Sequence, residues 1–161
     1  MSTATLDRGA AAAKIDTYRD NFQKGHHMLL ATLGAVPDDK LNWKPADTAR
    51  SALQIAAHVA ASNRYFILAF SGKAPATEFP EIMKWIHETA SAWNTKDKVL
   101  SELNGSYAEL DAIFANLPAE ALDNESAVIG LWVSSFHSYE HTSQIDYLQT
   151  CWGDMDHHMG M

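Results

Sequence analysis

Two histidines four residues apart, His137 and His141, lie in the stretch Gly130 to Trp152, which reads GLWVSSFHSYEHTSQIDYLQTCW. On a helix this spacing stacks two side chains one turn apart on the same face. At about 100° per residue the stretch sorts into two sides. Ser135, Ser138, Thr142, Asp146, Gln149 and Thr150 form one side, expected to face water. Val133, Phe136, His137, His141, Gln144, Ile145, Tyr147, Leu148 and Cys151 form the other, expected to face the core. Two inward imidazoles need polar partners. Either they share a metal ion, which neutral histidine binds readily, or each bonds a nearby carbonyl.

The elements that must position such a pair are all helical. From about Leu6 to Leu33, Ile15, Tyr18, Phe22, Leu29 and Leu33 form an apolar stripe at helical spacing, and His26 lies on it. His26 reads as a core or edge histidine with its hydrogen bonds satisfied. Gly34 and Pro37 mark a helix stop. The segment Val36 to Thr48 is a connection, with Trp43 expected to dock it onto the core. A second helix, capped by Asp47 or Thr48, should run to about Gly72 and turn His58 inward, with Asn63 and Arg64 on its opposite side. A short helix carrying Met83, Trp85 and Ile86 follows, with His87 exposed. After Thr95, Leu100, Leu103, Tyr107, Leu110, Phe114 and Leu117 repeat at spacings of three and four, up to Pro118. Gly105 interrupts that run at a cost of about 1 kcal/mol in helix propensity, consistent with close packing. His157 and His158 in the tail after Gly153 read as a mobile or packed end, with a second metal feature as the alternative. No segment alternates with period two. The expected fold is all-α, a single domain over residues 1–161, built as a four-helix bundle with an extra short helix between helices 2 and 3.

In such a bundle the second and fourth helices can be neighbours, and His58 would then face His137 and His141. Three histidines with water in a fourth position make an open, catalytic-type site. Glu140 lies about 60° from His137 on the wheel, and Gln144 lies one turn beyond His141. Either can orient a ligand, Glu140 can take a proton from bound water, or both can simply bond to solvent at the rim.

Composition narrows the partners. The formal net charge is −8 with no clustering of lysine and arginine, which argues against nucleic acid and anionic membrane surfaces. No apolar run approaches the ~20 residues that span a membrane, and the start MSTATLDRGAAAAK does not read as a signal peptide. The single cysteine, Cys151, permits no intrachain disulfide and suits a reducing cytoplasm.

Two motifs bring a resemblance. LNWKPADTARSALQIAAHVA and HSYEHTSQIDYLQTCWGD, with the order of the helices, resemble the DinB/YfiT-like superfamily of small bacterial four-helix bundles. The resemblance maps the family's metal histidines to His58, His137 and His141, and its closing motif to Gln144, Ile145, Gly153 and Asp154. Where the family often has His-x-Gly-Gln, Thr142 and Ser143 precede Gln144 here. It implies one divalent metal ion, zinc or nickel first and iron or manganese next, with a low-molecular-weight thiol as co-substrate. The expected function is a metal-dependent transferase that activates the thiol for attack on an electrophilic small molecule. The alternatives are a metal-water hydrolase with Glu140 as base, or a non-enzymatic, metal-binding, stress-related dimer. A homodimer is expected.

Overall fold

The structure, a computed structural model, describes residues 7–160. The expected first-helix start at Leu6 lies outside the described residues. Those residues form five α-helices and two short 3-10 segments, with no strand among them. They are α1 (Arg8–Ala35), α2 (Ala52–Phe70), α3 (Phe79–Ser91), α4 (Lys96–Ala115) and α5 (Glu125–Cys151).

Capping explains most of the boundaries. Asp7, Thr95 and Asn124 each accept a backbone N–H from the first turn of α1, α4 and α5. The start of α2 corrects the sequence expectation. Its cap is Ser51, not Asp47 or Thr48, because Ser51 and Gln54 form a reciprocal capping box: Gln54 N donates to Ser51 Oγ at 3.3 Å, and Ser51 N donates to Gln54 Oε1 at 3.1 Å. The end of α1 is corrected by two residues, from Leu33 to Ala35. Gly34 stays helical, and the helix stops because Val36 precedes Pro37 and is forced to extended geometry (φ −69°, ψ 121°). Pro80 opens α3 at its first turn, where a missing N–H costs nothing. Gly72 ends the turn after α2 at φ 70°, a conformation that favours glycine.

The main packing pairs are α1 with α5 and α2 with α4, while α3 leans on the outer side of α2. Helix α2 also meets α5, and α1 meets α4. Two apolar clusters fill the interior. One gathers Leu29, Leu33, Ile55, Val59, Leu103, Ile145 and Leu148. The other gathers Ile15, Phe22, Ile67, Leu110, Phe114 and Leu131. In every long helix a polar layer separates them: His26, His58, Ser62, Asn63, Ser106, Ser134, Ser138, His141 and Thr142 are all buried. The hydroxyls are mostly satisfied by carbonyls of their own helix, as when Thr142 Oγ1 donates to Ser138 O at 2.7 Å.

This layer overturns the expected orientation of α5. Ser135, Ser138, Thr142 and Gln149, expected to be wet, are buried, whereas Gln144, Tyr147 and Cys151, expected inside, are exposed. The cause is close packing of α1 and α5. A Cβ on Gly25 would lie 3.1 Å from Ser138 Cβ and 3.1 Å from Tyr139 Cδ2. Small side chains that bond back to their own helix let two backbones approach where larger ones would hold them apart. Gly25→Val is therefore expected to destabilise the protein by about 2 kcal/mol through overpacking, read from the midpoint of urea unfolding. A variant as stable as the parent would refute the close approach.

On α2, Asn63 also turns inward against expectation, and its Nδ2 donates to Ser106 Oγ of α4 at 3.4 Å. Arg64 bridges to Glu102 and Glu109, and its guanidinium crosses Gly105, where a Cβ would come within 3.3 Å. Gly105 thus accommodates a side chain rather than a second backbone. Trp43 docks its connection as expected, edge-on to Trp152 with ring centroids 5.4 Å apart.

Candidate metal centre

His58 comes from the middle of α2, and His137 and His141 from successive turns of α5 where the two helices meet. The sequence placed all three inward, and they converge. One ligand nitrogen from each lies within 4.8 Å of the others, and this is the single group of three or more such side chains among the described residues that can hold a metal ion. His141 Nε2 and His137 Nε2 are 3.0 Å apart. Two nitrogens each about 2.1 Å from a shared ion are separated by about 3.0–3.4 Å for bond angles between square and tetrahedral. The pair therefore fits a common ion without rearrangement. The ring centroids of His58 lie 5.2 Å from His137 and 4.9 Å from His141.

The donor set is in its binding form. Burial pushes His58 down to about 3, helped by the neighbouring His141. His137 keeps some exposed surface, yet burial holds it well below the ordinary histidine value. His141 is lowered by burial as well, opposed by Gln144 and the Glu140 charge. Neutral imidazoles bind metal without first losing a proton.

Gln144 stands against His141: its Oε1 is 2.8 Å from Nδ1. With an amide oxygen there, Nδ1 carries the proton and Nε2 presents its lone pair to the other two rings. Glu140 is exposed and bonds to none of the three imidazoles.

The remaining histidines stay apart from the group. His26 is buried as expected but only partly satisfied, with a side-chain hydrogen bond to Asn104. It stacks on Tyr107 with ring centroids 3.8 Å apart, and its Nδ1 has no partner among the described residues. Burial lowers it to about 4. His87 is exposed. The tail is packed: His158 Nε2 lies 2.9 Å from Asp154 Oδ2, its carbonyl accepts from Thr32, and His157 lies beside Asp146.

Sequence reading missed Arg50, an exposed cation whose charge helps to depress all three imidazoles. The signal lay in its position just before the Ser51 cap, near the start of the helix that carries His58.

An all-α fold with three convergent imidazoles on two packed helices defines a helical protein with a potential three-histidine metal site. The chain belongs to the DinB superfamily, whose sequence model matches residues 21–145 and takes in all three histidines, Glu140 and Gln144. Comparison with curated proteins and with solved structures finds no match.

Proposed function

We propose that the protein binds one divalent metal ion through His58, His137 and His141 and uses it to transfer a low-molecular-weight thiol onto an electrophilic small molecule. The observation that carries this reading is the convergence of three neutral imidazoles with no fourth histidine, cysteine, aspartate or glutamate in the group among the described residues. Structural zinc sites close with four protein ligands, whereas three leave a position for an incoming ligand. A divalent ion of the zinc or nickel type, bound there, supplies a Lewis acid that keeps a sulfur ligand deprotonated at neutral pH. Gln144 fixes the ring and tautomer of His141, and the apolar cluster on one side of the polar layer limits water.

The hydrolase alternative needs Glu140 as base, and its exposure without a bond to the ligands gives that role little support. The same proposal includes a four-helix bundle formed by α1, α2, α4 and α5 with α3 appended, a cytoplasmic location and a homodimer. Ile129 and Trp132, half or more exposed near the start of α5, support the dimer as apolar surface a partner can cover.

The test is thiol consumption with a fluorogenic electrophile such as monochlorobimane, by protein loaded with zinc or nickel and by the same protein after chelation. Loaded protein should consume thiol at least about tenfold faster than chelated protein. Equal rates, or hydrolysis of an ester substrate without thiol, would sink the transferase reading.

A further inference from the structure

A cleft of about 470 Å³ adjoins His141 through Gln144, with none of the three histidines in its lining. Gln144, whose amide holds His141, forms part of its wall. Pro45, Ile55, Tyr147 and Leu148 supply apolar sides, and Arg50 supplies the one charge in the lining. Arg50 is unusual within this chain. Arg8, Arg19 and Arg64 each pair with a carboxylate, at 3.3, 2.8 and 2.6 Å respectively. Arg50 has no such partner among the described residues, although acidic residues outnumber basic ones 20 to 12. An unpaired guanidinium at the rim of an apolar cleft is a ready anion receptor, because its fork of donors matches a carboxylate.

The surrounding backbone limits which anion fits. Three N–H groups at the start of α2 are committed: Leu53 donates to Leu41 O, Gln54 to Ser51 Oγ and Ile55 to Ser51 O. The helix end therefore adds little to Arg50, and one guanidinium balances one negative charge. That favours a carboxylate over a phosphate dianion. We propose that this cleft is the specificity subsite for the thiol co-substrate, with Arg50 binding a carboxylate on a short apolar arm whose sulfur reaches the three-histidine group. This inference rests on the reading of that group as a metal site that accepts a thiolate.

The experiment uses full-length protein loaded with cobalt(II), in which a thiolate ligand produces a charge-transfer absorption. A series of ω-mercaptoalkanoates of increasing chain length is titrated beside the matching ω-mercaptoalcohols and ω-mercaptoalkylphosphonates. At the length that spans the cleft, the carboxylate should bind about tenfold tighter than the alcohol and tighter than the phosphonate. Arg50→Gln should bring the carboxylate's affinity down to that of the alcohol while cobalt content stays at one equivalent per chain. Equal binding of acid and alcohol at every length, or a preference that survives Arg50→Gln, overturns the Arg50 subsite and leaves the metal–thiol reading standing. A phosphonate preference overturns the carboxylate assignment. Absence of the absorption with every thiol, at full cobalt loading, overturns the thiol reading itself and this inference with it.

Discussion

His58→Ala, His137→Ala and His141→Ala should each lose stoichiometric metal, with affinity falling roughly hundredfold or more. The magnitude follows from the apparent energy of about 10–16 kcal/mol for four-ligand structural zinc, a few kcal/mol for each ligand. The geometry gives the loss an additional cause. The site draws on only two helices, and His137 and His141 present their Nε2 atoms to each other at 3.0 Å. Removing either leaves two imidazoles to compete with water for the ion. Gln144→Leu keeps all three ligands but frees the His141 ring and its tautomer, so stoichiometry should survive at saturation while affinity falls about 10–100-fold. His26→Ala, His87→Ala, His157→Ala and His158→Ala should retain a full equivalent, because none of these side chains belongs to the cluster. Metal content per chain after dialysis measures the whole series, with circular dichroism confirming that each variant is folded. Full retention in His58→Ala together with loss in His157→Ala would place the site in the tail and refute the cluster.

Acid should destabilise the metal-free protein steeply, beginning well above the range in which carboxylates titrate. Burial lowers His26 to about 4 and His58 to about 3, and it lowers His137 and His141 too. Free histidine titrates near 6.5. A lowered folded-state value means that the unfolded chain takes up protons first. Stability is therefore fully present above about 6.5 and falls as pH drops toward the folded value, by about 1.4 kcal/mol per pH unit for each such histidine. Several kcal/mol should be lost between about pH 6 and pH 4.5. Asp111 and Glu102 are held below their ordinary values by Arg19 and Lys98, so their contribution is lost only at lower pH. His26→Phe isolates one member of the set, since the ring can still stack on Tyr107 but takes up no proton. Urea midpoints across pH should fall less steeply in His26→Phe than in the parent, by one histidine's share. An identical slope in both proteins would refute the assignment. The same burial extends metal retention below pH 6, where free histidine would already have released it.

Much of this protein is written in local sequence. The helices follow from apolar residues at spacings of three and four, and from caps that act within one turn, so neighbouring residues alone define them. The Ser51–Gln54 capping box is equally local, a serine followed three residues later by glutamine, although the expected caps were Asp47 or Thr48. The pairing of His137 with His141 is a property of helix pitch, and the inward direction of His58 follows from the aliphatics that share its side of α2.

What remained was decided by which helix packs against which. A helical wheel ranks sides by polarity, and it placed the serines and threonines of α5 in water. Only the contact with α1 at Gly25 shows that the small Ser138 side chain is the group that fits there, because its size admits a second backbone, while one turn on the Thr142 hydroxyl is satisfied within its own helix by Ser138 O. The same contact turns Gln144 and Tyr147 outward to line a cleft that the sequence did not reveal. The orphaned His26 Nδ1 and the unpaired Arg50 likewise depend on partners that are absent in space among the described residues, and no local pattern records such an absence. Sequence fixes the direction of each side chain relative to its own helix axis. The rotation and neighbours of that axis are set by the burial of every helix at once, and these determined which directions meet at the three histidines.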